Sequence, residues 1–170
     1  MKNLFLRIIL SLSVFFVNAQ EYKSSTLPNG WKLSPIGNSI ELGDLPLNVV
    51  NTPNKKYLIV TNNGQSVQSL QLIDAKSQKV LDSKELAKSW YGLKVASDNQ
   101  TVYVSGGNDN LILVYQIQNE QLNLLRKIQL TENKREEISP TGIELNEKSG
   151  ELYVVTKDNN SLYILDVHTG

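Results

Sequence analysis

The chain has 170 residues, with 17 basic and 17 acidic side chains, one histidine and no cysteine. This charge balance excludes the basic surface that nucleic-acid binding requires. The lack of cysteine excludes disulfides, and together with the single histidine it excludes a structural zinc site. The length suits one domain.

The first 19 residues form a predicted secretory signal peptide. Lys2 and Arg7 give a positive start, residues 8–17 are mostly apolar, and Val17-Asn18-Ala19 is a small-residue cleavage site. The apolar stretch is too short to cross about 30 Å of hydrocarbon, so a membrane span is disfavoured. A buried N-terminal helix is the other alternative. We therefore expect a periplasmic or secreted protein that has no membrane association after cleavage.

A strand pattern begins after an N-terminal extension at residues 20–37. Residues 38–42 alternate polar and apolar side chains, as a half-buried strand does. Further on, Leu58-Ile59-Val60-Thr61 recurs as Val102-Tyr103-Val104-Ser105 and again as Leu152-Tyr153-Val154-Val155. Repeats of about 40–50 residues built from short strands are typical of a β-propeller.

Each repeat is predicted to form a blade of four antiparallel strands, separated by clusters of turn residues. The blades span about residues 47–86, 91–130 and 141–170, and the last of them lacks its fourth strand. The expected strands lie at residues 48–50, 57–61, 69–74 and 80–86, then at 92–96, 101–105, 111–117 and 122–130, and finally at 142–145, 152–155 and 162–166. The predicted fold class is therefore all-β, with an incomplete β-propeller over residues 38–170.

Residues 38–42 are predicted to be a strand that closes the ring. Leu42 precedes Asn48 by six residues, as Leu86 precedes Gly92 by six. In this register Ile40 and Leu42 belong to the fourth strand of a final blade whose other strands are expected beyond residue 170. Closed propellers have about four to eight blades, and this chain supplies about two and a half. A fragment of a longer chain is therefore expected, and closure by oligomerisation is the alternative.

The repeated strand resembles the YVTN-type β-propeller repeats, which are named for a Tyr-Val-Thr-Asn strand. Its versions here are Ile59-Val60-Thr61-Asn62, Tyr103-Val104-Ser105-Gly106 and Tyr153-Val154-Val155-Thr156. The turn that follows the next strand in that family resembles Asp166-Val167-His168-Thr169-Gly170. The resemblance covers about residues 38–170 and implies the fold, but propellers serve many functions.

A narrower resemblance concerns one exported subgroup of that family. It rests on Leu27-Pro28-Asn29-Gly30-Trp31, Gly43-Asp44-Leu45-Pro46-Leu47-Asn48 and Ser105-Gly106-Gly107-Asn108-Asp109, together with Val60-Thr61-Asn62-Asn63-Gly64 and Gln68-Ser69-Leu70. In that subgroup a propeller precedes a phosphoesterase domain of the alkaline phosphatase superfamily. The resemblance implies that the metal ligands and the nucleophile lie downstream. No catalytic residue, metal ligand or cofactor is therefore assigned to this chain. Its expected partners are the remaining blades and that domain.

The candidate ligand-binding residues are Asn62, Trp90, Tyr91, Asn108 and Asp109. Turns between second and third strands project from the same face as the connections between blades, and ligands of propellers commonly bind among such loops. The Trp90-Tyr91 pair could stack on a ligand or dock a neighbouring domain, although a buried wedge between blades is the favoured alternative.

Asn108-Asp109 offers oxygens suited to calcium, as does Asp158-Asn159. A turn role is favoured for both pairs, because Asn and Asp populate turns for backbone reasons.

Three functions stay open from the sequence. The first is a non-catalytic binding or scaffolding propeller in the N-terminal part of an exported phosphoesterase. The second is a propeller hydrolase of lactonase type, which needs acidic, amide or histidine side chains converging from several blades. The third is a surface propeller that binds a protein partner.

Overall fold

The computed structural model describes residues 25–33, 37–133 and 135–170. The chain divides into two compact units, Met1–Ser39 and Ile40–Gly170, and each is described by itself. The predicted signal peptide lies outside the described residues. In the described part of the chain, no helix is both long enough and apolar enough to span a bilayer.

The N-terminal unit contains a small hairpin that the sequence did not predict. Strand β1 (Ser25–Thr26) pairs antiparallel with β2 (Lys32–Leu33). The Leu27 N–H donates to the Trp31 carbonyl at 2.8 Å, and the Gly30 N–H donates to the Leu27 carbonyl at 2.9 Å. Gly30 adopts a φ of +83°, which a residue without Cβ tolerates best.

The second unit contains three antiparallel sheets, each ordered as its strands follow in sequence. The first blade comprises β3 (Pro46–Asn51), β4 (Tyr57–Asn62), β5 (Ser69–Asp74) and β6 (Lys79–Glu85). The second comprises β7 (Leu93–Val95), β8 (Thr101–Ser105), β9 (Leu111–Gln118) and β10 (Gln121–Gln129). The third comprises β11 (Pro140–Asn146), β12 (Glu151–Thr156) and β13 (Leu162–Asp166). The predicted four-stranded blades are therefore confirmed, and the third blade has three strands here.

The blades pair their middle strands in the same register. The equivalent cross-strand pairs are Leu58 with Ile73, Val102 with Tyr115, and Leu152 with Leu165. A slip of one residue would turn every apolar side chain of a strand to the opposite face. The shared register therefore makes the three blades structural repeats of one another.

Apolar clusters fill the two seams between neighbouring blades. The seam between the first and second blades contains Ile59, Leu70, Leu72, Val102 and Val104, all of them fully buried. The seam between the second and third blades contains Ile112, Val114, Leu152 and Val154. Burying one such side chain contributes about 1.5–3 kcal/mol, so these seams supply the main attraction between sheets.

Residues 40–42 lie beside the outer face of the first blade. They form no strand, because they pair with no other strand among the described residues. A backbone in extended conformation needs a neighbouring strand to satisfy its N–H and C=O groups. Ile40 and Leu42 line an apolar groove with Leu58, Val60 and Ile73. The closing-strand role stays a prediction.

The register of Leu42 agrees with that role. Leu86, which occupies the equivalent position before the second blade, packs in the first seam with Val102, Val104 and Tyr115. Those three are the repeat equivalents of Leu58, Val60 and Ile73. Leu42 therefore occupies the place on the first blade that Leu86 occupies on the second.

One end of the blades is closed by contacts between successive turns. The Asn54 N–H donates to Asn99 Oδ1 at 2.7 Å, which joins the first blade to the second. The Ser97 N–H donates to Glu147 Oε1 at 2.5 Å, which joins the second to the third. These turns connect first and second strands, so they lie at the end opposite to the loops considered below.

Candidate functional site

The predicted loop face is present at the other end of the blades. In the first two blades, the turn between the second and third strands is hydrogen-bonded to the connection that leads into the next blade. These backbone bonds are Leu86 N–H to the Gln68 carbonyl and Leu130 N–H to the Asn110 carbonyl, both at 2.9 Å. In the third blade, the Lys157 N–H of the equivalent turn donates to the Ser139 carbonyl at 3.1 Å, in the connection that enters the same blade. These bonds hold turns and connections together at one end of the blades.

Trp90 and Tyr91 lie in the connection that enters the second blade, and both rings are exposed. Trp90 is 43% exposed and Tyr91 is 54% exposed. The Tyr91 carbonyl accepts a hydrogen bond from Asn48 Nδ2 at 2.8 Å, which ties the connection to the first strand of the first blade. The favoured interpretation of this pair as a buried wedge is wrong, because both side chains are exposed among the described residues.

Asn62 is fully buried at the end of β4. Its Nδ2 donates to Ser69 Oγ and to Gln71 Oε1, both at 3.0 Å. Gly43 covers it so closely that a Cβ on Gly43 would lie 2.8 Å from Asn62 Cγ. Asn62 thus fixes a strand end in this structure, and its ligand-binding role stays a prediction.

Asn108 and Asp109 lie in a short 3-10 helix, Gly107–Asp109, between β8 and β9. Asn108 Oδ1 accepts a hydrogen bond from Ser139 Oγ at 3.0 Å. Both residues line a cavity of about 430 Å³ that Gln129 and Thr131 also border. The structure therefore joins this pair to the connection that enters the third blade.

Asn110, which the sequence analysis did not single out, organises that region. It adopts the left-handed conformation with φ of 56°. Its Oδ1 accepts from the backbone N–H groups of Ile138 and Ser139 at 3.0 and 2.9 Å, and its Nδ2 donates to the Glu136 carbonyl at 2.6 Å. The signal that could have identified it is an asparagine at the end of a turn cluster, where positive φ is common.

A groove of about 680 Å³ lies on the loop face, between the β4–β5 turn and the connection from the first blade to the second. It is lined by residues 63–68, residues 85–88 and Trp90. Asn63 is only 8% exposed, and its Oδ1 has no hydrogen-bond partner. The sequence analysis did not select Asn63 as a site residue. The groove is the part of the loop face where an exposed ring and an unpartnered buried acceptor occur together.

Asp44 fixes the turn at residues 63–68 that forms one wall of the groove. Its Oδ2 accepts from both the backbone N–H and the Oγ of Ser66 at 3.0 Å. The backbone bond and then the hydroxyl bond from Ser66 hold the pKa of Asp44 below its ordinary value. A Cβ on Gly64 would lie 2.0 Å from Asp44 Oδ2, so this turn requires glycine.

Within residues 25–33, 37–133 and 135–170, no three His, Cys, Asp or Glu side chains are grouped so that they could hold a metal ion. The calcium interpretation of Asn108-Asp109 and Asp158-Asn159 thus gains no support from these residues. Asp158 instead accepts from Lys157 Nζ at 2.7 Å. That bond, with a further one from Ser139, lowers the pKa of Asp158.

No protein-family model matches the chain, and no curated protein matches it. Among solved structures, the β-propeller domain of Cps50 (Swd1) from Myceliophteria thermophila superposes with a TM-score of 0.60 and 20% identity, over 74% of this chain and 41% of that one. Hydrazine synthase of Kuenenia stuttgartiensis superposes with a TM-score of 0.53 and 20% identity, over 76% of this chain and 35% of that one.

The chain spans less than half the length of both of these structures. At this identity the likeness concerns the fold. It agrees with the meandering four-stranded sheets and with the apolar seams between them. The chain is therefore a β-propeller domain.

Proposed function

We propose that this chain is the ligand-binding propeller of an exported protein and that its repeats are of the YVTN type. The observation that carries the proposal is the loop face. There the exposed Trp90 borders a groove that is lined by the turn at residues 63–68 and the connection at residues 85–88. Loops held on a packed scaffold are where proteins commonly place recognition. Export follows from the signal peptide predicted at residues 1–19.

The catalytic part of the whole protein is, in this proposal, a phosphoesterase domain of the alkaline phosphatase superfamily that follows the propeller. The support is the resemblance of residues 27–31, 43–48 and 105–109 to the subgroup that has this arrangement. The metal ligands and the nucleophile would belong to that domain. The propeller's partners would be its remaining blades and the phosphoesterase domain itself.

The test is hydrolysis of bis(p-nitrophenyl) phosphate by the full-length exported protein supplied with a divalent metal ion. We expect metal-dependent hydrolysis. The variants Trp90→Ala and Asp109→Asn should leave kcat within about twofold of the wild-type value, because neither residue would contact the reacting atoms. Reading the gene beyond Gly170 should reveal clustered aspartate and histidine ligands.

Other outcomes would favour the two alternative functions. Lactone hydrolysis that is lost in Asp109→Asn, without phosphoester hydrolysis, would overturn the proposal in favour of a self-contained propeller hydrolase. A specific protein partner bound by a full-length protein without hydrolytic activity would favour a surface interaction propeller.

A further inference from the structure

The chain contains two Asn-Gly pairs, and the structure gives them opposite surroundings. Asn29-Gly30 is exposed in the loop of the N-terminal hairpin, whereas Asn63 and Gly64 are both buried in the β4–β5 turn. An asparagine before glycine is especially prone to attack by the following backbone nitrogen, because glycine has no Cβ to hinder the approach. The effect of the fold on this reaction can therefore be compared within one chain.

The pair in the β4–β5 turn is locked by its neighbours. Asn63 Nδ2 donates to Ser89 Oγ, and the Gly64 N–H donates to the Asp44 carbonyl at 3.0 Å. A Cβ on Gly64 would overlap the Asp44 carboxylate, so the turn is tightly packed. For attack on the Asn63 side chain, the Gly64 nitrogen would have to lose its bond and the side chain would have to rotate in this packed environment.

The pair in the hairpin is held by fewer contacts. The Gly30 N–H donates to the Leu27 carbonyl at 2.9 Å, and Asn29 Oδ1 accepts from the Trp31 N–H at 3.1 Å. The two flanking strands have two residues each, and a two-stranded hairpin is marginally stable by itself. Local opening of such a segment costs little free energy. The Gly30 nitrogen is therefore released often, in a loop that water reaches.

We propose that Asn29 is a site of spontaneous deamidation and that the fold protects Asn63 from the same reaction. Hydroxide removes the proton of the Gly30 N–H, and the nitrogen attacks Asn29 Cγ. The Cγ–Nδ2 bond then breaks, and ammonia leaves with a proton from water. Water opens the resulting cyclic imide at either carbonyl carbon. The products are aspartate in the ordinary backbone and isoaspartate, in which the backbone runs through the former side chain.

Both products change the hairpin. Each replaces a neutral amide by a carboxylate, so the protein gains a negative charge at this loop as it ages. Isoaspartate also inserts a methylene group into the backbone between Leu27 and Trp31, whose N–H and carbonyl groups are hydrogen-bonded at 2.8 Å. The added length should separate these groups and unpair β1 from β2. This inference is independent of the proposed function.

The test is incubation of the full-length protein at mildly alkaline pH, followed by tryptic digestion and mass spectrometry. The peptide of residues 24–32 carries Asn29, and the peptide of residues 57–76 carries Asn63. In the native protein, conversion of amide to acid should be at least about tenfold faster at Asn29 than at Asn63. In guanidinium chloride, the two rates should agree within about threefold, because the fold no longer distinguishes the pairs.

Two variants sharpen the test. Asn29→Gln should abolish conversion at position 29, because a glutamine side chain would have to close a larger ring. Asp44→Ala, which removes the acceptor of the Ser66 bonds, should raise the rate at Asn63 several-fold and leave the rate at Asn29 unchanged.

Two outcomes with the wild-type protein would overturn the inference, so it does not depend on the folding of a variant. One is conversion at equal rates at Asn29 and Asn63 in the native state. The other is native Asn29 that stays intact under conditions in which the unfolded chain converts, which would mean that the hairpin protects it.

Discussion

The second and third blades have matching strand patterns at an offset of 50 residues but very different surroundings. Ile112 and Val114 are 0% and 2% exposed, whereas their equivalents Leu162 and Ile164 are 58% and 59% exposed. The second blade has a neighbour on each face, and the third has one neighbour among the described blades. Burial is therefore a property of the stack, in which each blade completes its neighbour's core.

The outer face of the third blade keeps the composition of a buried face. Val155, which is 47% exposed, stands where the second blade has the fully buried Ser105. Terminal repeats of stacked proteins need a polar outer face for solubility. The apolar face formed by Val155, Leu162 and Ile164 thus supports the proposal that further blades belong to this propeller.

The largest expected effect comes from truncating equivalent residues in the two blades. Ile112→Ala should lower the free energy of unfolding by about 2–5 kcal/mol, because it opens a cavity in the second seam. Leu162→Ala in the 170-residue chain should lower it by less than about 0.5 kcal/mol, because the side chain is already exposed. Urea unfolding of both variants measures the difference.

The same two variants in the full-length protein test the proposed additional blades. A blade packed on Leu162 should raise the cost of Leu162→Ala toward that of Ile112→Ala. Similar small costs for both variants in the 170-residue chain would contradict the buried position of Ile112.

Much of the fold follows from local sequence signals. The alternation of Leu162–Asp166 predicted β13 at its observed limits. The start of β3 was predicted two residues late, because a bulge between Pro46 and Asn48 extends the pairing beyond the simple alternation. The hairpin of Ser25–Thr26 and Lys32–Leu33 was missed, since two-residue strands have no detectable period.

The candidate site was harder to predict than the strands, because it depends on the paths of turns and connections. Asn62 and Asn63 are adjacent in sequence, yet Asn62 bonds to Gln71 and Asn63 bonds to Ser89. Asn62 ends β4 and Asn63 belongs to the following turn, so the path of that turn, which has no periodic signal, decides that Asn63 borders the groove. The exposure of Trp90 depends on the path of a connection, which has no periodic signal.

A second comparison uses two glycines at equivalent positions of the repeat, Gly92 just before β7 and Gly142 within β11. A Cβ on Gly92 would lie 2.3 Å from the Thr141 carbonyl oxygen and 2.8 Å from Ile143 Cγ1. A Cβ on its equivalent, Gly142, would meet Val155 Cγ2 at 3.0 Å and nothing nearer. Gly92→Ala should therefore destabilise the protein by about 1–3 kcal/mol through forced separation of the blades.

Gly142→Ala is the matched control and should cost less than about 1 kcal/mol, because one exposed side chain can move aside. Thermal unfolding of the two variants measures the costs. Equal shifts in melting temperature would indicate that backbone flexibility, and not contact between blades, decides the effect.

The smallest expected effect concerns an ion pair between equivalent positions. Lys94 Nζ lies 2.5 Å from Glu144 Oε1, with side-chain exposures of 33% and 65%. The hydrogen bond from Lys94 is the main cause that holds the pKa of Glu144 below its ordinary 4.5. Because the pair is largely solvated, a double-mutant cycle of Lys94→Gln and Glu144→Gln should give a coupling of about 0.2–1 kcal/mol near neutral pH.

The pH dependence of that coupling has a definite sign. A carboxyl whose folded pKa is lowered stabilises the protein above its unfolded pKa and loses this contribution as pH falls through the folded pKa. The Lys94–Glu144 coupling should therefore be complete above pH 4.5 and decline below it. It should also weaken in about 1 M salt. A coupling that survives both acid and salt would contradict an ion pair. It would mean that the two side chains interact through packing of their methylene groups.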